Sequence, residues 1–482
     1  MTDSNPLPPQ RDTPESESPR IVEQQLSLDD TIERCIGEWG WIQFFQATFI
    51  SLAYFFDAQQ CFISVFTDAK PTWHCTSPSN SSCKNICRIP RDSWNWDLPA
   101  HTSVISEWSL ECSGSIITGL PTSSFFLGCL AGIFVLATLA DSSLGRKNML
   151  LLSCLLMSIS GVLTAFSTNV WMYTALRFIS GFGFLSLPGL AYMTRGSSWR
   201  RLYLWTCIPA IFYSILLYFI AYESPRWLYI KGRKEDFAKT LRSIAAPRNR
   251  IILTDSFFDR CIKWEDKLQE TNFYSAIKIL FQTSWVFWRL APVMVVGFGA
   301  GMISFGMPLG LENLAFDLYL SVALNAFMEI PASMLILFLI GNVSRKFSIL
   351  GLTILSGICS ATCVLVRWKG MQIGLELVSF FCGVVVMDLV LIYTLELFPT
   401  CVRNSSVSMV RQAMMLGGVC GPVLVAAGRK NRLLSYGVFG ITIAVCGLFV
   451  VFLPETRGRT LCDTMDEEER KNGSINNGVD TA

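Results

Sequence analysis

Charge is scarce in this sequence. Only 16% of its 482 residues are Asp, Glu, Lys or Arg, whereas 51% are hydrophobic. Soluble proteins carry about 25% charged residues, so this balance excludes an ordinary soluble domain and predicts a polytopic membrane protein. The net charge of +2 and the lack of a basic block argue against a nucleic-acid partner.

Histidine and nucleotide-binding motifs are also nearly missing. The two histidines, His74 and His101, lie in one polar loop. No arrangement of nucleophile, base and histidine accompanies them, which argues against an enzyme. No Gly-Lys dipeptide occurs, so the chain has no Walker A loop and no direct use of ATP. The Cys and His spacing of the loop does not match a metal site, and we expect neither a metal nor another cofactor.

The first residues lack an apolar core. Residues 1–34 are polar and rich in Pro, Ser and Glu, which is typical of a disordered tail and not of a signal peptide. We expect this tail in the cytosol, with the first apolar run as the insertion signal.

Long apolar runs are what the sequence does contain. One helical crossing takes about 20 residues, and helices satisfy the backbone inside lipid, so the runs predict an all-α polytopic bundle in a lipid bilayer. Two glycine pairs, Gly128 with Gly132 and Gly417 with Gly421, predict close helix contacts. The eleven runs are Trp41–Phe66, Ser115–Ala140, Met149–Phe166, Val170–Thr194, Leu202–Ala221, Val286–Gly310, Leu318–Ile340, Ile349–Val366, Met371–Leu397, Val407–Ala427 and Leu433–Leu453.

Two long polar loops interrupt the runs. Residues 67–114 contain four cysteines and a glycosylation sequon at Asn80, which indicate a disulfide-bonded, non-cytosolic cap with three possible pairings. Residues 222–284 contain twelve Lys or Arg among apolar residues, so we expect a cytosolic linker with short amphipathic helices. The four cysteines are Cys75, Cys83, Cys87 and Cys112.

The positive charges conflict with the number of runs. The loop with Arg146 and Lys147 and the linker 222–284 are both predicted to be cytosolic, which requires an even number of crossings between them. Three runs lie between them. Either the middle run, Val170–Thr194, does not cross simply, or the linker lies outside and the C-terminal half is inverted.

The two halves of the chain resemble each other. Residues 145–147 (GRK) match 344–346 (SRK), and residues 223–226 (ESPR) match 455–457 (ETR). Between these motifs the first half is shorter by about one span and a loop. An internal repeat of this kind fits alternating access. The expected units are an N-terminal lobe at 35–221, a six-helix C-terminal lobe at 285–454 and a cytosolic tail at 455–482.

Several ordered motifs resemble one known family. They are FFDAQQCFISVFTDAKPTWHC, LADSSLGRKNMLLLSC, ESPRWLYIKGRK, ELFPTCVRNSSVSMVRQ and LPETRGRTLCDTMDEEE. They resemble the major facilitator superfamily, within it the organic ion transporter family, and most closely the plant organic cation/carnitine transporters. The resemblance implies a two-lobe bundle of twelve helices that carries small organic cations or zwitterions such as carnitine. It leaves open a proton or sodium as coupling ion, and a vacuolar or a plasma membrane.

The resemblance breaks inside Val170–Thr194. The residues up to Gly183 resemble the family's fourth helix, whereas those from Phe184 resemble the late part of its fifth. The run therefore looks like two half helices fused together, which explains about eleven runs instead of twelve. An alternative function follows from this: a transport-inactive shortened variant that acts only as a partner or competitor of the full-length transporter.

Ionisable groups within apolar runs are costly and are the first candidates for substrate contact. Asp57, followed by Gln60, is a cation site or a polar helix end. Glu329 precedes a helix-bending proline and either binds substrate or anchors the bend. Asp388 lies mid-run and is paired, protonated or facing water, whereas Glu376 is expected at the membrane interface.

Other side chains match the two ends of a zwitterion. Arg411 can clamp a carboxylate through two parallel hydrogen bonds, or it snorkels to the cytosolic face. Phe305, Tyr319 and Tyr393 are possible aromatic walls for a quaternary ammonium, or they are bundle packing.

Charged groups at the cytosolic helix ends resemble the family's latches between the two lobes. These groups are expected to gate by charge pairing and not to touch substrate. Arg177 lies mid-membrane and is expected to pair within the bundle. The latch residues are Asp141, Arg146, Lys147, Arg403, Glu455 and Arg457.

Overall fold

The computed structural model describes residues 40–76, 86–140, 144–182, 198–245, 278, 281–314, 317–429 and 435–457. Helices dominate these ranges, and the predicted all-α bundle is confirmed. The helices of more than one turn are α1 (Trp41–Phe62), α2 (Ser115–Ala140), α3 (Arg146–Thr164), α4 (Val170–Phe182), α5 (Trp199–Ile220), α6 (Pro225–Ile230), α7 (Lys234–Ile244), α8 (Ser284–Gly310), α9 (Leu318–Asn342), α10 (Arg345–Leu365), α11 (Lys369–Leu397), α12 (Thr400–Gly428) and α13 (Tyr436–Leu448).

The loop before α2 forms a small cap on the bundle. Strands β1 (Trp73–Cys75) and β2 (Trp94–Trp96) pair antiparallel, with Trp73 opposite Trp96. The Trp94 ring is buried against both of these indoles, and the Arg91 guanidinium lies 3.9 Å from its centroid. The single-turn elements are Ser64–Thr67, Ile86–Arg88, Arg91–Ser93, Ala100–Thr102, Val104–Glu107, Leu311–Asn313 and Phe449–Phe452.

Eight helices of the described ranges are long and apolar enough to cross a membrane: α2, α3, α5 and α8 to α12. Outside Val170–Thr194, each apolar run of the sequence falls largely within a helix. In the linker, α7 has a buried face with Phe237 and Leu241 and an exposed face with Lys234, Glu235 and Lys239.

We call the end of the bundle that carries residues 67–114 the cap end, and the end with Arg146 and Lys147 the basic end. Helix α3 begins at the basic end, where the Arg146 backbone N–H donates to Glu223 Oε1 at 2.8 Å. Glu223 follows α5 directly. The linker therefore begins at the same end of the bundle as Arg146 and Lys147.

Helix α4 begins at the cap end and runs into the bundle. Its 13 described residues extend about 20 Å along the helix axis. Helix α5 then begins at the cap end again, because Arg200 donates to the carbonyl of Ala165, at the end of α3, and to Glu107 of the cap, each at 2.7 Å. The chain thus makes no net crossing between Val170 and Trp199. This resolves the conflict between the charges and the number of runs.

Small residues let two helix pairs approach closely. A methyl group on Gly128 or Gly132 of α2 would overlap the carbonyls of Phe178 and Phe182 of α4. One on Gly417 of α12 would overlap α8 in the same way. Both glycine faces predicted from the sequence are therefore contact faces. Helix α12 also packs against α2 and so joins the two lobes.

Candidate functional site

Three ionisable side chains of the C-terminal lobe face one another. Glu329 lies on α9, Asp388 on α11 and Arg411 on α12. Counted along their helices, all three are about 14–20 Å from the basic end. The structure therefore brings three of the predicted substrate residues to one level of the bundle, and we call them the central charge group.

The members of the central charge group interact mainly through their charges. The charge of Arg411 acts on Asp388, and that of Asp388 acts on Glu329. The two carboxylates are half-buried and Arg411 is exposed. In the described part of the chain, none of the three side chains is hydrogen-bonded or closely ion-paired. Lone charges facing lipid would be costly, so we expect these three groups to face away from lipid.

Gln60 and Arg177 lie in the interior of the N-terminal lobe. The Gln60 amide donates to Thr206 Oγ1 and Cys207 Sγ of α5, each at 3.1 Å. Arg177 is fully buried, donates to the Gln60 carbonyl at 2.9 Å, and stacks over the Phe125 ring. Gln60 therefore links α1, α4 and α5 and lies apart from the central charge group. The side chain of Asp57 lies outside the described residues.

The three aromatic candidates lie in three different places. The Phe305 ring of α8 lies 5.1 Å from the Phe126 ring of α2, so this pair bridges the two lobes. Tyr319 stacks on Phe66 near the cap end at 5.2 Å. Tyr393 is buried in the core of the C-terminal lobe and donates its hydroxyl to the Pro454 carbonyl. Phe305 and Tyr319 therefore both contact the other lobe, with Tyr319 nearer the cap end.

One glutamate in each lobe binds the N-terminus of a helix at the basic end. Glu223 accepts hydrogen bonds from the backbone N–H groups of Arg146 and Lys147 of α3. Gly145, just before α3, has a φ of 84°, and a methyl group there would overlap Glu223. Glu455 accepts from the N–H groups of Arg345 (3.0 Å) and Lys346 (3.2 Å) of α10. The motif repeat seen in the sequence is therefore a repeated helix cap.

The hydrogen bonds of Glu455 change its acidity. Partial burial raises the pKa of this carboxyl, but hydrogen bonds from Ser344 and from three backbone N–H groups outweigh it and hold the pKa below its ordinary value. Arg345 also pairs with Glu396 at 3.1 Å. These contacts lie within one lobe, so they orient helix ends and do not fasten lobe to lobe.

The remaining predicted latch residues are only partly visible. Arg403 donates from Nε to the Phe398 carbonyl at 3.2 Å, which ties the start of α12 to the end of α11. The Arg457 backbone donates to Glu455 at 3.1 Å. Asp141 lies outside the described residues.

The cap contains the predicted disulfide chemistry. Cys87 is bonded to Cys112, and Cys75 is also disulfide-bonded. Cys83 and the sequon at Asn80 lie outside the described residues. Within the described ranges, no group of three or more His, Cys, Asp or Glu could hold a metal ion.

A polar contact between the lobes at the cap end was missed by the sequence analysis. Arg429, after α12, pairs with Glu312, after α8, at 2.6 Å. Arg429 also donates to the Asp68 carbonyl at 3.0 Å, and the Lys70 backbone N–H donates to Glu312 at 3.1 Å. We call these four residues the cap-end clasp. Burial and the neighbouring Arg429 charge lower the pKa of Lys70. The sequence contains one sign of this contact. Arg429 is a basic residue at the cap end, where the positive-inside rule predicts few basic residues.

Two further contacts between the lobes lie deeper in the bundle than the clasp. Ser123 of α2 donates to the Val419 carbonyl of α12 at 2.8 Å. Gly119 leaves just enough room for the Pro422 carbonyl. The lobes are thus closed towards the cap end. A two-lobe bundle with unpaired charges at mid-depth and one closed end defines a membrane transporter of the alternating-access class.

Comparisons with known proteins agree with this class. Residues 40–185 and 184–467 match the family described as "Sugar (and other) transporter". Organic cation/carnitine transporter 3 of Arabidopsis thaliana is 51% identical over 490 positions, covering 92% of this chain and 94% of that protein. Organic cation/carnitine transporter 2 of the same plant is 47% identical over 523 positions, covering 98% and 96%. The chain belongs to the organic cation/carnitine transporters of this transporter family.

Solved structures show the same fold. The inward open conformation of the xylose transporter XylE from E. coli has a TM-score of 0.55 and 18% identity, covering 87% of this chain and 98% of that chain. The predicted major facilitator fold is confirmed.

Two features of these matches concern Val170–Thr194. The family match falls into two segments that meet at residues 184 and 185. Both alignments with the Arabidopsis relatives are longer than the 482 residues of this chain. The relatives therefore have residues that this chain lacks, in keeping with the predicted junction after Gly183.

Proposed function

We propose that this chain carries small organic cations or zwitterions such as carnitine across a vacuolar or plasma membrane. The central charge group carries the proposal. Asp388 and Glu329 supply negative charge for a quaternary ammonium, and Arg411 supplies a planar fork for a carboxylate. The group has two carboxylates and one guanidinium. Its excess negative charge suits a cation, whether or not that cation also carries a carboxylate. The names of the Arabidopsis relatives support the same substrate class.

The cap-end clasp gives this site a direction. With the lobes closed at the cap end, the central charge group faces the basic end. Rocking of the lobes would break the clasp and expose the site to the other side. Phe305 and Phe126 lie on the path between site and clasp, where an aromatic face can hold a trimethylammonium group.

Transport by purified protein in liposomes tests the proposal. We expect counterflow of labelled carnitine and of choline, which has the ammonium but no carboxylate. Arg411→Gln is expected to lower carnitine counterflow about 10- to 100-fold, because a charge-assisted hydrogen bond to the substrate contributes about 1.5–3 kcal/mol, while choline counterflow stays within a few fold. Asp388→Asn is expected to lower both.

Arg367→Gln is the matched control, since Arg367 is an exposed arginine between α10 and α11. Equal losses of carnitine and choline counterflow in Arg411→Gln would contradict the carboxylate role.

We propose the transport-inactive shortened variant as the second candidate function. It is favoured by the residues that this chain lacks relative to its Arabidopsis relatives. No counterflow of either substrate by correctly inserted wild-type protein, together with co-purification of a full-length relative, would establish it in place of the first.

A further inference from the structure

A buried carboxyl group of the C-terminal lobe lies away from the central charge group. Glu376 of α11 is 0% exposed, although its place in the sequence predicted an interfacial position. It lies about 10 Å along the helix from the cap end of α11. Its partner is Asn325 of α9, whose Nδ2 donates to Glu376 Oε1 at 3.1 Å.

The pair leaves two facing groups unsatisfied. Glu376 Oε2 and Asn325 Oδ1 are both buried and have no hydrogen-bond partner. A carboxylate would present only acceptors here, whereas a carboxylic acid supplies the one donor that the pair lacks. A proton on Glu376 Oε2 can be donated to Asn325 Oδ1. The carboxylic acid and the amide then share two hydrogen bonds.

No neighbouring charge takes the place of that proton. Facing titratable groups on the packed helices are Cys359 and Cys363 of α10 and Glu329 of α9, one turn beyond Asn325. The Cys363 thiol bonds the Gln372 carbonyl. On α12, the Arg411 charge acts on Asp388 and not on Glu376. The segment of α8 from residue 290 to residue 310 has no ionisable residue. An ionised carboxylate in such surroundings would be strongly destabilising.

Helix α9 links this pair to the central charge group. Asn325 and Glu329 are four residues apart and share one face of α9. Glu376 holds that face to α11 near the cap end, and Asp388 faces Glu329 deeper on the same α11. Loss of the Glu376 proton would oblige α9 to separate from α11 so that water reaches the carboxylate, and this movement would shift Glu329.

We propose that Glu376 and Asn325 form a proton-binding site that couples proton movement to substrate transport. The proton comes from water on one side of the membrane, forms an O–H bond at Glu376 Oε2, and returns to water on the other side when α9 moves. The proposal rests on the proposed transport function and supplies its coupling ion.

Liposomes with an imposed pH gradient test the proton site. For the wild type we expect carnitine uptake to rise at least fivefold when a proton gradient is directed along transport. In Glu376→Gln this ratio is expected to fall to one, and in Glu376→Asp, which keeps the acid, to stay above one. A structural role alone predicts the reverse, because glutamine preserves the shape and aspartate leaves a gap. Glu235→Gln, at an exposed linker position, is the matched control.

Three outcomes would overturn the proposal. They are an unchanged gradient ratio in Glu376→Gln, loss of the ratio in Glu376→Asp only, and a response to a sodium gradient in place of the proton gradient. Carnitine counterflow at equal pH on both sides reports the proposed transport function separately. Should Glu376→Gln not fold, proton release on substrate addition to wild-type protein, followed with a pH indicator, gives the decision: no release overturns the coupling.

Discussion

Glu223 and Glu455 do the same work in the two lobes. Each binds the N-terminus of a helix at the basic end, where free N–H groups and the helix dipole favour a negative charge. Each also fixes the point at which the chain leaves its lobe. The carboxylate at this position therefore stabilises the fold of its lobe. It holds the helix ends in place when the two lobes rock against each other.

We predict that Glu455→Gln lowers the stability of the C-terminal lobe by about 1 kcal/mol, the usual contribution of a helix cap. The lowered pKa of Glu455 sets the sign of the pH dependence. Its contribution is complete above the ordinary carboxyl pKa and disappears as the pH falls through the lowered value. Thermal unfolding in detergent is the measurement. The difference between wild type and variant should be present at pH 7 and vanish in strong acid. A difference that grows on acidification would contradict this role.

Residue positions along a helix were easier to predict than residue orientations. The sequence places Asp388 mid-run and Arg411 a turn inside its run, and both lie in the central charge group. Glu376 and Tyr393 differ because rotation about the helix axis decides what a side chain faces. That rotation follows from packing between helices, and one apolar run contains little information about it. Glu376 faces Asn325, and Tyr393 faces the chain after α13.

At the scale of elements, the clasp connects the ends of α8 and α12 to the chain after α1. Arg429 is the centre, because it binds both Glu312 and the Asp68 carbonyl. The pair is only 19% and 10% exposed, so salt screens it less than a surface ion pair. Opening the cap end requires these bonds to break.

We predict that Arg429→Gln favours opening at the cap end. A membrane-impermeant thiol reagent, applied from the cap side to a Ser123→Cys reporter with Cys420 replaced by serine, measures the opening. We expect the labelling rate to rise about tenfold, since a partly buried charged hydrogen bond contributes about 1.5–3 kcal/mol and 1.4 kcal/mol is a factor of ten. Arg367→Gln should label like the parent. Unchanged labelling in Arg429→Gln would mean that apolar contacts alone hold the lobes closed.

The clasp also shows what sequence patterns leave out. The motifs at the basic end predicted latch residues between the lobes, but one of these, Glu455, binds within its own lobe. The contact between lobes lies at the opposite end, where Glu312 and Arg429 belong to none of the family motifs and the motif around Asp68 and Lys70 gave no sign of the contact. Contacts between elements distant in the chain depend on how two lobes are docked, and hydrophobic periodicity gives only the elements themselves.

For the whole molecule, the number of crossings matters more than any single contact. The linker begins beside Arg146 because Val170 and Trp199 lie at the same end. The sequence predicted this conflict from charge alone, and the structure resolves it because α4 and α5 both begin at the cap end. The chain can then leave both lobes at the same end of the bundle, as alternating access requires. The N-terminal lobe does this with fewer residues than its relatives have.

We predict that restoring the missing helix segments stabilises the N-terminal lobe without changing its topology. The variant inserts, between Gly183 and Phe184, the residues that Arabidopsis organic cation/carnitine transporter 3 has between its counterparts of these two positions. The insert completes two half crossings, one in each direction, so an epitope in the linker should remain on the face of Arg146. The added buried apolar surface, at about 25 cal/mol per Å², should raise the melting temperature by several degrees and should increase carnitine counterflow. A Gly/Ser insert of equal length is the control. Equal effects of the two inserts would mean that the stretch from α4 to α5 is complete as it stands.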